Sequence, residues 1–271
     1  MIKPVFLTDL DDTLFQSRRK MRNRMGVMSD VLSFGVGALD RKGAPHSHMT
    51  EEQSMLIGWL LAHAEVIPVT ARNTEQFSRV CLPFNSWRIV AHGAVLITPE
   101  GSIDAQWQSH MLSALQPYRD KLQALAHAIR RLIASQGIDA WVRIDYEYDN
   151  APVFVIIKHR NPARSQELDG LLDVLIQEDD FYFHKNFYFH KNNNNLTILP
   201  KCVDKGLATR HLLQMLRNKR GVFPVIGLGD SLSDYRFMQQ CAWFGMPQRS
   251  QFTDALTTAL FGTEKNDRSC K

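Results

Sequence analysis

Three carboxylates, Asp9, Asp11 and Asp12, lie close together near the start of the chain, directly after the apolar run Val5 to Leu7. An apolar strand that ends in acidic side chains is where an open α/β sheet places its reactive groups. Because like charges at this spacing repel and raise each other's pKa, the cluster is costly unless a cation or a proton is held there. Side chains alternate along a strand, so Asp9 and Asp11 project to one side and can act on one ligand. The spacing therefore predicts a metal site.

Further polar residues stand where predicted strands end or helices begin. Thr70 follows an apolar strand, Lys205 opens a helix, and Asp230 and Asp234 follow a second apolar strand. Taken singly, each has an ordinary structural explanation, such as a helix cap, a surface lysine or a charge near a helix N-terminus. Their joint occurrence with Asp9 favours one composite site.

This set of residues resembles the haloacid dehalogenase superfamily of hydrolases. Asp9 to Thr13 matches its D-x-D-x-T motif, in which Asp12 is a spacer, and Thr70 matches the hydroxyl of its second motif. Lys205 matches the lysine of the third motif, and the run from Gly229 to Asp234 matches the acidic fourth, all in the required order. The resemblance implies an α/β fold, a Rossmann-like doubly wound parallel sheet core with an inserted α+β cap.

The insert between the second and third motifs is similar to the type IIB branch, which includes Cof-like sugar phosphatases, sucrose-phosphate phosphatase and mannosyl-3-phosphoglycerate phosphatase. Two positions depart from this branch, since His92 and Ser233 stand where it commonly has asparagine. The implied function is a Mg2+-dependent phosphatase that hydrolyses a small phosphate monoester, with a sugar phosphate the favoured substrate. The alternatives are a phosphomutase acting on a sugar phosphate and a non-catalytic module that senses a phosphorylated ligand.

The resemblance also implies a role for each matching residue. Asp9 is the expected nucleophile that forms an aspartyl-phosphate, and Asp11 is the expected acid that protonates the leaving alkoxide and then activates water. Thr70 is expected to donate a hydrogen bond to the phosphoryl group, and Lys205 to pair with the charges of that group and of Asp9. Arg72 is a further candidate for binding substrate phosphate, with a surface ion pair as the alternative.

Mg2+ is the implied cofactor, because it prefers oxygen ligands and bridges protein and phosphoryl oxygens. The expected ligands are Asp9, Asp230 and the backbone carbonyl of Asp11. Asp234 is expected to be a further ligand or a support behind the ligands. The aspartates of the first and fourth motifs therefore make up the predicted metal site.

Length and composition agree with this architecture. The chain of 271 residues is long enough for a core with an insert, and its 44% apolar and 22% charged residues are ordinary for a soluble globular protein. The net charge of +4 is mild, without the concentrated basic stripe of a nucleic-acid binder. We expect a catalytic core from 1–82 and 201–271 and a cap from 83–200, with the strand 88–91 and its hairpin assignable to either.

The cysteines have no C-x-x-C spacing and are expected to be free thiols in a reducing compartment; they are Cys81, Cys202, Cys241 and Cys270. Neither a signal peptide nor a membrane span can be drawn at the N-terminus. The expected partner is therefore a small phosphorylated molecule, rather than a nucleic acid or a membrane, and the expected location is the cytoplasm.

Periodicity predicts the elements that position these residues. The capping box from Thr50 to Gln53 starts a helix, and apolar spacing over 110–135 predicts a long helix that is interrupted near Pro117 and ends at Gly137. The predicted strands are 3–9, 66–69, 88–91, 141–148, 153–157, 196–199, 222–228 and 242–246. The other predicted helices cover 168–176, the segment after Lys205, 235–241 and 252–261.

Two segments leave alternatives open. Residues 16–49 are rich in Arg, Lys and Gly, which favours a solvated mobile loop, with a flap that draws an anionic substrate toward Asp9 as the alternative. Residues 181–186 recur unchanged as 187–192, a duplication that is expected to lengthen a strand or hairpin. The cap residues considered for specificity, with a solvated strand face as the alternative for most, are Arg143, Lys158, His184, Lys185, His190 and Lys191.

Overall fold

The computed structural model describes residues 3–25, 33–178, 183 and 185–262. The strands are β1 Val5–Thr8, β2 Gln16–Ser17, β3 Val36–Leu39, β4 Pro45–His48, β5 Glu65–Pro68, β6 Arg88–Val90, β7 Val95–Ile97, β8 Ala140–Glu147, β9 Ala151–His159, β10 Phe187–Asn192, β11 Asn195–Pro200, β12 Val225–Leu228 and β13 Trp243–Gly245. The helices are α1 Arg18–Met25, α2 Glu51–His63, α3 Thr74–Phe77, α4 Ala105–Leu115, α5 Arg119–Gln136, α6 Glu167–Glu178, α7 Lys205–Arg220, α8 Tyr235–Met238 and α9 Gln251–Phe261.

A parallel sheet in the order β13-β12-β1-β5 forms the centre of the core. Val5 of β1 pairs with Val225 on one side and with Glu65 on the other. Both faces of β1 are covered, and this explains its continuous apolar run. The hairpin β6–β7 continues the sheet through a parallel bridge between Val69 and Ile89. The carboxyl ends of β1, β5 and β12 consequently meet at one edge.

The predicted helix boundaries have identifiable causes. At the start of α2, the Thr50 hydroxyl accepts a hydrogen bond from the backbone N–H of Gln53, whose side chain accepts one from the backbone N–H of Thr50. The long helix predicted over 110–135 is divided into α4 and α5 by a 3-10 turn that contains Pro117. Gly137, at φ 65°, ends α5 in the left-handed conformation that glycine adopts at low cost. No helix in the described ranges is both long and apolar enough to cross a bilayer.

An antiparallel sheet in the order β10-β11-β9-β8 forms the cap. One face of this sheet is apolar and packs on α5 and α6, as Ile144, Val155 and Ile157 do against Leu125 and Leu171. The hairpin β6–β7 and α4 instead belong to the main core cluster, through residues such as Ile89, Val95, Trp107 and Met111. The opposite face of the cap sheet is turned toward the core, and the division of the chain at 82/83 and 200/201 stays a prediction.

The segment 16–49 is not the loop that its charge favours, as far as its described residues 16–25 and 33–49 show. Strands β2, β4 and β3 form a three-stranded antiparallel sheet, called the flap sheet below, and α1 follows β2. Phe15, Ala38 and Met49 are buried beneath it, and a Cβ on Gly37 would overlap the Phe15 ring. The loop interpretation is wrong here because a few apolar residues within a polar segment fill one buried cluster. Residues 26–32 lie outside the described part.

The duplicated hexapeptide has two different conformations. The second copy is strand β10, in register with β11, as the strand prediction requires. In the first copy, Phe183, Lys185 and Asn186 are helical, and His184 lies outside the described residues. Elsewhere β12 begins later than predicted, after Pro224, which has no N–H to donate to a ladder.

Candidate active site

Asp9 lies immediately beyond the C-terminal end of β1. Its backbone N–H donates a hydrogen bond to the carbonyl of Leu228 at 2.8 Å, so the turn after β1 is tied to the end of β12. The residue is only 6% exposed, and one carboxylate oxygen accepts a hydrogen bond from Lys205 Nζ at 2.7 Å. Burial raises the pKa of Asp9 well above its usual value. The charge of Lys205 lowers this pKa, whereas the charges of Asp234 and Asp230 raise it further.

Lys205 is the first residue of α7, and its ammonium group bridges two aspartates. It donates to Asp9 and to Asp234, each at 2.7 Å. Burial alone lowers the pKa of Lys205, but the negative charges of Asp234 and Asp9 raise it further than burial lowers it. Asp204 caps α7 by accepting hydrogen bonds from the backbone N–H groups of the first turn. The lysine is thus held charged at a fixed helix start.

The start of α7 is placed by a close backbone contact with the hairpin. Gly93 has φ 95°, and a Cβ at this position would lie 2.4 Å from the carbonyl oxygen of Asp204. Only a residue without a side chain permits this approach. The turn at 91–93 therefore positions the helix that carries Lys205.

Asp9, Asp230 and Asp234 form a group of buried carboxylates that offer ligand oxygens within 4.8 Å of one another. Burial, followed by the charges of Asp234 and Asp12, raises the pKa of Asp230 to about 7. Thr13 donates a hydrogen bond to Asp230 Oδ1 at 3.3 Å. Three acids this close are compatible with a divalent cation, which prefers carboxylate oxygens and offsets their repulsion. The carboxylate of Asp11 is not in this group, and the ligand predicted from Asp11 is its backbone carbonyl.

Asp234 is the most constrained member of the group. One oxygen accepts from Lys205, and the other accepts from the backbone N–H of Ser231 at 3.0 Å and from the Ser231 hydroxyl at 2.7 Å. Ser233, at the position where asparagine was expected by resemblance, contacts the Ser231 hydroxyl at 2.9 Å. The serine pair therefore steadies Asp234 and leaves Asp230 as the less constrained carboxylate.

Asp11 is paired with Arg72 by two parallel hydrogen bonds. Arg72 Nε donates to Asp11 Oδ2 at 2.7 Å, and Nη2 donates to Oδ1 at 2.8 Å. Thr70 is buried, and its hydroxyl accepts a hydrogen bond from the backbone N–H of Arg72 at 3.1 Å. The guanidinium carbon of Arg72 also lies 5.3 Å from the Phe15 ring, and a role of Arg72 in binding substrate phosphate stays a prediction.

Asp12 is more than a spacer between the matching motif positions. It is buried, has φ 67°, and forms an ion pair with Lys20 of α1. Its charge is also one cause of the raised pKa of Asp230. Aspartate tolerates the left-handed conformation better than most residues, which fits the sharp turn after β1.

These residues lie at the base of a cleft of about 890 Å³ between the core, the flap sheet and the polar face of the cap sheet. Asp9, Asp11, Thr70, Arg72, Lys205 and Asp230 all line it. From the cap, Arg143, Lys158 and His190 line it, as considered from the sequence, together with Trp141 and Asn192, which the sequence analysis missed. Lys191 points elsewhere and pairs with Asp169, while Lys185 is exposed. Alternation along β8 and β9 could have identified Trp141 and Arg143 as a pair on one face.

His92 and His190 face each other across the boundary between core and cap. Their rings meet edge to face at 5.2 Å, and His92 makes a similar contact at 5.2 Å with Phe154. Burial lowers the pKa of His92 well below its usual value and that of His190 to about 4, so both imidazoles are neutral at neutral pH. The histidine at position 92, where the similar branch commonly has asparagine, thus contacts a residue of the second copy of the hexapeptide.

Acidic residues at the end of β8 bind the core next to Arg72. Asn73 Nδ2 donates to Asp145 at 3.2 Å, and Thr74 donates to Glu147 through its backbone N–H at 2.8 Å and its hydroxyl at 2.7 Å. Burial raises the pKa of both Asp145 and Glu147. No local sequence signal identifies these contacts, because they join residues more than seventy positions apart.

Comparison with known proteins finds no matching family model and no match among curated sequences. Solved structures do match. The sucrose-phosphatase of Synechocystis sp. PCC6803, in complex with sucrose and phosphate, has a TM-score of 0.53 at 17% identity, over 97% of this chain and 90% of that one. Protein 0175 of Thermoplasma acidophilum has a TM-score of 0.54 at 11% identity, over 94% and 89% of the chains. SMU.1108c of Streptococcus mutans UA159 has a TM-score of 0.52 at 12% identity, over 94% and 91%.

At these identities the likeness establishes the fold. The architecture is a Rossmann-like parallel core with an α+β cap, as predicted. The similarity extends over nearly the whole chain, so the cap is part of it as well as the core.

Proposed function

We propose that this chain, which has the fold of the haloacid dehalogenase-type phosphatases, hydrolyses a small phosphate monoester through an aspartyl-phosphate intermediate. The observation that carries the proposal is the cluster of Asp9, Asp230 and Asp234 around Lys205, buried at the base of the cleft. Four ionisable groups at one sheet edge have no evident structural purpose there, since buried charges of this kind cost stability.

Asp9 is the proposed nucleophile. One of its oxygens is held by Lys205, which leaves the other free to attack phosphorus from the end of a rigid strand. Lys205 provides a fixed positive charge beside the position that the phosphoryl group would take, and Thr70 offers its hydroxyl hydrogen nearby in the cleft. The new bond joins Asp9 to phosphorus as the bond from phosphorus to the leaving oxygen breaks.

Asp11 is the proposed acid and base. In its protonated form it would give its proton to the leaving alkoxide, and its carboxylate would then take a proton from the water that attacks the aspartyl-phosphate. The two hydrogen bonds from Arg72 define the orientation of this carboxylate, which supports a positioning role for Arg72.

The donor set fits Mg2+. The raised pKa values of Asp9 and Asp230 reflect buried carboxylates whose repulsion a divalent cation would relieve. Asp9 and Asp230 would hold the ion together with the backbone carbonyl of Asp11, and Asp234 would support them through Lys205 and Ser231. When bound, Mg2+ supplies charge that stabilises the phosphoryl oxygens in the transition state.

A sugar phosphate is the proposed substrate class. The cap side of the cleft combines the Trp141 ring with polar groups such as Asn192, Asn195 and Thr197, which suits a leaving group with several hydroxyls. The similar sucrose-phosphatase structure contains sucrose and phosphate, which supports the same class.

The test is phosphate release from p-nitrophenyl phosphate and from sugar phosphates, with Mg2+ and with EDTA. We expect Mg2+-dependent release that falls at least about a thousandfold in Asp9→Asn, because the amide cannot form the acyl phosphate. Undiminished activity in Asp9→Asn would contradict the assigned nucleophile. Isomerised sugar phosphate without free phosphate would identify a mutase instead, and no phosphoryl transfer under any metal condition would defeat the enzyme proposal.

A further inference from the structure

We infer that the cleft selects phosphate esters whose leaving group carries a second anionic group, a carboxylate or a second phosphate. The second anion would be held by three cations that line the cleft, Arg19, Arg41 and Lys158. This inference rests on the proposed phosphatase function and specifies its substrate class.

The first observation is the pairing of charges along the cleft. Among the described residues, eight Lys or Arg side chains and five Asp side chains line it. Most of the cations have a carboxylate partner, namely Lys20 with Asp12, Arg72 with Asp11, Arg79 with Glu75, Arg143 with Asp145 and Lys205 with Asp9. Within the described residues, the side chains of Arg19, Arg41 and Lys158 have no hydrogen-bond or ion-pair partner. Three cations in one cleft are therefore available to a ligand.

The reaction centre does not need these three cations. Lys205 and one divalent ion would balance the three buried carboxylates, and the phosphoryl group would bind beside them. A substrate with a single phosphate and a neutral leaving group would have no use for Arg19, Arg41 and Lys158. Positive charges along a cleft raise the local concentration of anions and orient them.

The register of the cap sheet gives the position of Lys158. In one row of the sheet, His190 pairs with Thr197, which pairs with Ile156. His190 is close enough to Lys205 for the lysine's charge to lower its pKa. Lys158 belongs to the next row, in which it pairs with Asn195 and with Trp141. From strand spacing, the Cα atoms of His190 and Lys158 are about 12 Å apart. Lys158 is therefore set apart from His190 on the cap sheet by a distance that a substrate with two charged ends can span.

The flap sheet supplies the other two cations. Arg41 lies in the turn between β3 and β4, and this turn is held by Asp40, whose carboxylate accepts hydrogen bonds from the backbone N–H groups of Lys42 and Ala44 at 2.8 and 2.9 Å. Arg19 lies in α1, next to the Lys20 that pairs with Asp12. Both are exposed, line the cleft and are carried by folded elements, so their charges stay at the cleft.

The experiment compares matched substrates by kcat/KM. One pair is 6-phosphogluconate against glucose 6-phosphate, which adds a carboxylate, and the other is fructose 1,6-bisphosphate against fructose 6-phosphate, which adds a phosphate. We expect the doubly anionic member of at least one pair to be preferred about tenfold or more in kcat/KM. The pair that shows the preference identifies the second anion as a carboxylate or a phosphate. Lys158→Gln and Arg41→Gln should each lower that preference about three- to tenfold, and added NaCl should lower it in the unmodified protein.

Lys191→Gln is the matched control, because it removes the same charge from the cap strand β10 but from a side chain that pairs with Asp169 outside the cleft. Its preference ratio should equal that of the unmodified protein. Turnover without a preference for either second anion, or a preference that Lys158→Gln and Arg41→Gln leave intact, would overturn the inference while the phosphatase proposal stands. No turnover of any phosphate ester with Mg2+ would overturn the phosphatase proposal and the inference with it.

Discussion

The carboxylate of Glu147, at the end of β8, caps the short helix α3 by accepting hydrogen bonds from both the backbone N–H and the hydroxyl of Thr74. A residue of the cap domain thus accepts the hydrogen bond of a free N–H group at the start of a core helix. Thr74 is only two residues after Arg72, which forms two hydrogen bonds to Asp11. The position of the cap and the orientation of the proposed acid are linked through one short segment.

Glu147→Ala should therefore destabilise the protein by about 1.5–3 kcal/mol, because it removes hydrogen bonds to a charged group and leaves the Thr74 N–H without its partner. Urea unfolding at pH 7 measures this change. Glu75→Ala, which removes an exposed carboxylate from the same helix, should change the free energy of unfolding by less than about 0.5 kcal/mol. Equal effects of the two substitutions would contradict the capping role.

Lys205→Met should cost about 3–5 kcal/mol of stability, because it leaves Asp9 and Asp234 buried without their shared cation. Saturating Mg2+ should restore part of the loss by providing another positive charge. Thermal and urea unfolding with Mg2+ and with EDTA measure both effects. Lys219→Met, at the exposed end of α7, is the control that should have little effect.

Mg2+ should stabilise the protein more at pH 8 than at pH 5.5. With its pKa raised from 3.8 to about 7, Asp230 binds a proton in the folded state over a pH range in which the unfolded chain has lost it. The stability that this group contributes without metal is therefore present at low pH and decreases as pH rises toward 7. Protons compete with the ion for the same oxygens, so the metal gains affinity over this range.

The measurement is the shift in melting temperature with Mg2+ across this pH range. Asp230→Asn should abolish most of the shift and flatten the pH dependence, whereas Asp254→Asn on the exposed side of α9 should alter neither. A metal-induced shift that is the same at pH 5.5 and pH 8 would argue against Asp230 as a ligand.

Arg72→Lys should lower kcat for an alkyl phosphate at least about tenfold, because lysine keeps the charge but not the two parallel hydrogen bonds to Asp11. The loss should be smaller with p-nitrophenyl phosphate, whose leaving group needs little protonation. Comparing the two substrates separates the orientation of an acid from general damage to the site. Arg79→Lys provides the control, and a loss from Arg72→Lys that is equal for both substrates would contradict the positioning role.

His190, which contacts His92, predicts an effect of pH on stability that is opposite in sign to that of Asp230. Burial lowers the pKa of His190 from 6.5 to about 4, so its contribution to stability is present above pH 6.5 and is lost as pH falls toward 4. The free energy of unfolding of His190→Phe should therefore increase, relative to that of the unmodified protein, by on the order of 2 kcal/mol as pH falls from 7 to 4.5. His127→Phe, at an exposed position of α5, should show no such trend, and a pH-independent difference for His190→Phe would exclude this titration.

The parts of the site that sequence could predict are those carried by local signals. Asp9 and Asp230 follow apolar strands, so strand ends were sufficient to place them at one sheet edge, whereas Lys205 was assigned to the site by its match to the third motif. The capping box at Thr50 and the interruption at Pro117 are likewise local, because each depends on residues within one turn.

The remaining features depend on tertiary contacts that no short pattern encodes. The flap sheet forms because Phe15 and Ala38 share a buried cluster, although the charges around them favour a loop. The pairing of Arg72 with Asp11 and the meeting of His92 with His190 join distant segments. Charge and composition identify such residues as polar, but they do not identify their partners.

The lysine that bridges Asp9 and Asp234 also constrains the order of events during synthesis. Asp9 emerges early and stays without its partner until Lys205, 196 residues later, has been made. At typical rates of translation this interval is roughly 10–40 s. The cap cluster of α5, α6 and β8 to β11 draws on a shorter stretch of chain, so we expect it to gain structure first. β1 cannot pair with β12 before residues 225–228 have been made, so the candidate active site is completed only late in synthesis.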